Sequence, residues 1–135
     1  MTVFVHTSAL FALLDADQTG HSDAAAVWTT LLEDDVPLIT TNYVLLETIA
    51  LSQHRLGMDA VREVRYTFEP LLQVVWIDEE VHGAALAALL ASRRRRVSLV
   101  DRSSFEVMHR RGIMRAFALD TDFAEEGFEV IPPPS

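Results

Sequence analysis

Short apolar runs alternate along this chain with segments of helical period. Residues 2–6, Thr-Val-Phe-Val-His, form a β-rich run, and Thr7 and Ser8 after it can cap a helix over 8–15. A second helix is expected over 22–34, with Ala26, Val27, Leu31 and Leu32 at helical spacing. A strand over 37–41 follows, and Asn42 is a suitable cap for a helix over 43–56. Gly57 separates that helix from another over 58–69. Residues 72–77 read as the third strand and 78–92 as an alanine- and leucine-rich helix. After the basic loop Arg93 to Arg96, Asp101 or Ser103 opens a helix to Arg111 that Gly112 ends. Residues 115–119 and 128–131 supply the last two strands, and three prolines then stop the sheet. Strands alternating with helices predict a parallel α/β sandwich. With 135 residues and no internal repeat, low-complexity tract or linker, a single domain spanning 1–135 is expected. Trp28 and Trp76 sit in apolar periodic runs and are assigned to the core.

Composition narrows the chemistry. Half the residues are hydrophobic, which excludes a disordered or collagen-like chain. The absence of cysteine removes disulfide scaffolds, zinc fingers, iron–sulfur centres and thiol catalysis. There is no lysine either, which removes P-loop NTPases and Schiff-base mechanisms. No segment approaches the roughly 20 apolar residues of a membrane span, and no basic leader precedes the first apolar run, so a soluble cytoplasmic protein is expected. The net charge of −9 is unevenly placed. Between Arg93 and Arg115 lie eight arginines and two acids, and the rest of the chain is strongly acidic. Such a segment can hold a phosphate chain at one place, because guanidinium forks pair with phosphate oxygens.

In open α/β sheets, sites form outside the carboxyl ends of the strands. The first strand ends at His6, followed by Thr7 and Ser8; the fourth is followed by Asp120 and Asp122; Asp101 closes the apolar stretch 97–100. Glu47 is the fourth acid. Its neighbours one helical turn away are Tyr43, Val44, Ala50 and Leu51, so it is expected in a partly buried place with no basic partner within a turn. Converging carboxylates repel one another until a cation neutralises them, and Mg²⁺ or Mn²⁺ prefers such oxygen ligands. Acids beside arginines fit phosphodiester hydrolysis better than metal storage.

Four blocks (4–10, Phe-Val-His-Thr-Ser-Ala-Leu; Glu47 in the helix after Thr-Thr-Asn-Tyr-Val at 40–44; 98–105, Ser-Leu-Val-Asp-Arg-Ser-Ser-Phe; and 116–123, Ala-Phe-Ala-Leu-Asp-Thr-Asp-Phe) closely resemble PIN-domain ribonucleases, above all VapC-type toxins of toxin–antitoxin pairs. The resemblance runs through nearly the whole chain. It implies a five-stranded parallel sheet flanked by helices, a Mg²⁺ or Mn²⁺ site, endonucleolytic RNA cleavage, homodimerisation and inhibition by a small antitoxin. By position, Glu47, Asp101 and Asp120 match the family's acids, Asp122 its more variable acid, and Ser8 and Ser103 or Ser104 its supporting hydroxyls, with Thr7 beside them. Arg93, Arg94, Arg95, Arg96 and Arg102 are the candidates for RNA contact. Where the family places an aspartate, after the first strand, this chain has His6, a poorer ligand for Mg²⁺ that brings no negative charge.

Plainer readings stand beside these. Asp101 can be a helix cap, with Ser103 to Glu106 as a capping box; Asp120 and Asp122 can be turn residues; and the arginine run can be solvated or pair with the acidic helices. His21, His54, His82 and His109 share no catalytic spacing and read as structural. Two functions therefore compete: a metal-dependent endoribonuclease toxin, and a catalytically impaired PIN domain that binds RNA or an antitoxin. A phosphoacceptor or phosphatase domain fits poorly, because histidine follows the first strand and the phosphate-binding lysine is missing.

Overall fold

A computed structural model describes residues 1–134. Five short strands, β1 (Val3–Val5), β2 (Leu38–Thr41), β3 (Gln73–Val75), β4 (Arg115–Phe117) and β5 (Glu129–Ile131), form one sheet. All pairings are parallel and the order is β3-β2-β1-β4-β5. The helices that flank the sheet are α1 (Thr7–Leu14), α2 (His21–Glu33), α3 (Asn42–Arg55), α4 (Met58–Glu63), α5 (Glu79–Ala91), α6 (Leu99–Arg111) and α7 (Asp122–Glu125). The parallel α/β architecture expected from the alternating pattern is therefore present. From β1 the chain adds strands first on one side and then, with β4, on the other. The order reverses between β1 and β4, and the carboxyl ends of those two strands border the crevice where α/β proteins place ligands.

The central strand β1 is fully buried, as an interior parallel strand covered on both faces must be. Phe123 packs on Phe4, Phe105 and Phe128 at centroid distances of 6.1, 4.9 and 6.3 Å. Trp28 of α2 packs on Phe68 and Phe117, as its apolar run predicts. Trp76 does not join the core and is 75% exposed. It follows β3, an edge strand with a neighbour on one side only. The buried face of α2 also differs from expectation: Ala24 and Leu31 are buried, while Ala26 is exposed and Leu32 about one-third so.

Several boundaries move because caps are supplied by residues other than those expected. His6 occupies the N-cap position of α1, its Nδ1 3.3 Å from the Ser8 nitrogen. Thr41 caps α3, and Asn42 instead accepts from the Ile77 N–H across the gap to the chain after β3. The helix expected over 58–69 keeps α-geometry only to Glu63, then widens into a π-turn over Val64–Phe68 and a 3₁₀ turn over Glu69–Leu71, where Pro70 lacks an N–H. The four-residue α7, between β4 and β5, was not foreseen; so short a helix shows no period.

The most consequential shift is at α6. Neither Asp101 nor Ser103 opens it; Ser98 is its cap, and 99–100 are already helical. Ser98 Oγ accepts from the Asp101 N–H at 3.2 Å and Asp101 Oδ2 accepts from the Ser98 N–H at 3.0 Å, a reciprocal capping box. Ser98→Ala is expected to lower the unfolding free energy by about 1 kcal/mol. Urea titration checks this; unchanged stability would mean that the cap contributes nothing.

Candidate active site

Three chain segments meet at the crevice between β1 and β4. His6 follows β1, Asp101 sits in the first turn of α6, and Asp120 follows β4. His6 is buried, with Nε2 3.0 Å from Asp101 Oδ1 and Nδ1 3.3 Å from Asp120 Oδ2. Ser8 Oγ lies 3.0 Å from the same Nδ1 and accepts from the Leu119 N–H at 2.9 Å, which ties β4 to the end of β1. The Phe123 ring covers the imidazole at 4.7 Å between centroids. Burial alone would lower the His6 pKa, but the hydrogen bonds and charges of Asp101 and Asp120 outweigh it and raise the value to about 9. At neutral pH the ring is therefore an imidazolium, donating from Nε2 to Asp101 and from Nδ1 towards Asp120. Only after losing the Nδ1 proton can it accept from the Ser8 N–H as the cap of α1. Burial also works against ionised Asp101, yet the His6 contact and the Ser98 hydrogen bonds hold its carboxyl below the usual range.

Asp122 lies beside this pair. Its pKa is raised, first by burial and then by the negative charges of Asp120 and Asp101, while Arg96 and Arg94 pull the other way. The Asp122 N–H donates to Asp120 Oδ1 at 3.2 Å. Asp122 Oδ1 is buried without a hydrogen-bond partner among the described residues; Arg96 Nη2 is 3.3 Å away, close enough to pair charges but not aligned to donate. Arg94 pairs with Glu125 at 2.6 Å and approaches Glu126 at 3.7 Å. Arg102, nearly buried, donates to Ser92 Oγ at 2.8 Å. Of the arginines expected at RNA, these three are held by the protein itself, and Arg93 and Arg95 are exposed.

Glu47 is half-buried, as its apolar neighbours predict, but it faces a separate place. It lines a hollow of about 420 Å³ with Tyr43, Leu46, Ala50, Leu99 and Val100. Of the four expected acids, Asp101 and Asp120 thus contact His6, Asp122 lies beside Asp120, and Glu47 lines an apolar recess. Among the described residues no three His, Asp or Glu side chains converge into a preformed metal centre. Between Asp101 and Asp120 lies His6, whose protonated ring supplies a positive charge there. The donor chemistry still fits Mg²⁺ or Mn²⁺: three carboxylates, one with a buried oxygen lacking a hydrogen bond.

The supporting hydroxyls divide. Ser8 touches His6 directly, whereas Thr7 donates to Val44 O at 3.4 Å and joins α1 to α3. Ser103 and Ser104 both donate to Val100 O, within their own helix. Sequence reasoning missed Ser98, although Ser-Leu-Val-Asp over 98–101 has the capping-box spacing, and missed Phe123 as the cover of His6.

The raised His6 pKa has a consequence for folding. Its folded value lies above the unfolded value of 6.5, so the stability it contributes is complete below pH 6.5 and is lost as pH rises through about 9. In EDTA, urea titrations are expected to show a loss of up to roughly 3 kcal/mol between pH 6 and 9.5. The loss should be absent in His6→Asn. A flat profile for the unaltered chain would refute the imidazolium.

A family model described as PIN domain matches residues 3–129. The chain is 32% identical over 132 residues to the 23S rRNA-specific endonuclease VapC20 of Mycobacterium tuberculosis, from each of two strains, covering 97% of this chain and 98% of the relative. The crystal structure of Mycobacterium tuberculosis VapC20, described as a Sarcin-Ricin loop cleaving toxin, superposes with a TM-score of 0.81 over 93% of this chain and 95% of that one. Among the described residues no helix is long and apolar enough to cross a membrane. Matched in sequence and fold over nearly all its length, the chain belongs to the PIN-domain family, in its VapC branch.

Proposed function

We propose that this chain, acting as one domain, is a metal-dependent endoribonuclease and the toxin of a VapBC-type pair. The observation that carries the reading is the meeting of Asp101, Asp120 and Asp122 where the strand order reverses, in a chain similar throughout to an rRNA endonuclease. Asp101, Asp120 and Asp122 would hold Mg²⁺ or Mn²⁺, with Glu47 a further candidate ligand from the neighbouring recess. Bound there, the ion would lower the pKa of a water and stabilise charge growing on the phosphate oxygens.

Hydrolysis forms a bond from phosphorus to a water oxygen and breaks the bond to the leaving ribose oxygen. The water must lose a proton and the leaving oxygen must gain one. Asp120, the most accessible of the three clustered acids, would take the first proton, and the leaving oxygen would take its proton from solvent. Ser8 and Phe123 fix His6, and through it Asp101 and Asp120, so the acids are oriented before substrate arrives. Arg93 and Arg95 are the guanidinium groups available to an RNA backbone. The partners that go with this reading are RNA, a small antitoxin and a second copy of the chain, with the work done in the cytoplasm. The exposed Leu46 on α3 offers apolar surface for a protein contact.

His6 also favours a second reading, an RNA- or antitoxin-binding protein of impaired activity, because a cation already sits between two of the acids. One set of assays separates the two. The nuclease reading expects a structured rRNA fragment to be cut in Mn²⁺ and spared in EDTA. Asp120→Asn should then lower the rate by at least roughly 100-fold without unfolding the chain. His6→Asp should raise the rate in Mg²⁺, since it removes a competing cation and adds an oxygen ligand. Salt-sensitive RNA binding without cleavage in either metal, even after His6→Asp, would replace the nuclease by the binding protein.

A further inference from the structure

A cleft of about 360 Å³ opens beside Asp120, along the carboxyl ends of β4 and β5. Leu119, Asp120 and Thr121 form one wall, the prolines after β5 another, and Thr19 and Asp23 at the start of α2 close it. Nothing described above uses Asp23 or this cleft. No arginine lines it and two carboxylates do, so it is a poor place for a phosphate. Its flat apolar walls, Leu119 and Pro132 to Pro134, are suited to the faces of a planar ring, and its volume lies within the range of small-ligand pockets. The Asp23 carboxylate is exposed at the rim and accepts hydrogen bonds only.

We infer that this cleft seats the base of a nucleotide flanking the cut phosphate, and that Asp23 selects bases carrying an exocyclic amino group. Adenine, cytosine and guanine each present an amino donor that a carboxylate can accept. Uracil presents its N3–H between two carbonyl oxygens, which a carboxylate repels. The Thr19 hydroxyl can donate or accept, and so it adds contact without choosing among bases. A base here brings its own phosphate up to Asp120, the residue shared by the cleft and the acidic cluster. The inference rests on the nuclease reading for the identity of the ligand, but its test can fail separately.

Two measurements on the full chain decide it. The first is binding of fluorescent rA5, rC5 and rU5 in Ca²⁺, followed by anisotropy. rA5 and rC5 are expected to bind about tenfold tighter than rU5. Asp23→Ala should remove that difference and leave rU5 binding unchanged or tighter; because Asp23 is exposed in the first turn of α2, the variant should stay folded with at most a small drop in melting temperature. The second is kcat/KM on a cleavable RNA carrying A, C, G or U at each flanking position. One position should show the same Asp23-dependent preference. Discrimination in binding with no cleavage in any metal would keep the base subsite and remove the nuclease. Cleavage without Asp23-dependent discrimination in either measurement would keep the nuclease and overturn the subsite. Equal binding of the three pentamers, no binding, or a uniform loss in Asp23→Ala also overturns it.

Discussion

Two carboxylates at the end of a buried parallel sheet repel one another and lose hydration, and the structure resolves this with a cation of its own. His6 lies between Asp101 and Asp120 with a nitrogen directed at each. Their charges hold the proton on the ring against the cost of burial, and the ring in turn keeps Asp101 ionised. The dependence is not symmetric: without His6 the buried Asp101 carboxylate loses its charge partner, whereas loss of either aspartate still leaves the ring paired with the other. A histidine after β1 does electrostatically part of what a bound ion would do, and it lacks the second positive charge and open positions at which water and phosphate could meet.

The surroundings of the triad are built to hold that geometry. The reciprocal bonds between Ser98 and Asp101 make one carboxylate both a helix cap and a site residue, so the start of α6 and the electrostatics of the crevice stand together. Ser8 does the same between β1 and β4. Phe123 packs against His6 and three core phenylalanines, which carries the rigidity of the interior to the imidazole. On the outer side, Arg94 and Arg96 tie the basic loop to the acids of α7. The arginine-rich segment is thus largely neutralised by the protein's own acidic body, and the positive charge left for a polyanion lies at the exposed Arg93, Arg95 and Arg111.

Around the acidic cluster the crevice has unlike sides. Towards β3, Glu47 borders an apolar recess between α3 and α6. Towards β5, the cleft at Asp120 combines prolines with a second carboxylate at Asp23. Neither side is basic, so an RNA approaching this edge would have to direct bases or ribose into the hollows and keep its phosphates towards the exposed arginines.

The sequence by itself determined the alternation of strands and helices, the strand-end positions of His6 and Asp120, and the half-buried setting of Glu47. Those properties follow from local period, capping chemistry and neighbours one turn away. It did not determine that Trp76 lies outside the core, because an apolar run does not reveal that its strand stands at the sheet edge. Nor did it determine that Asp101 is shared between Ser98 and His6, or that Arg94, Arg96 and Arg102 are engaged by residues far along the chain. Those outcomes depend on angstrom-scale distances between segments up to 95 positions apart, and only the folded sheet, by reversing its strand order beside β1, sets them.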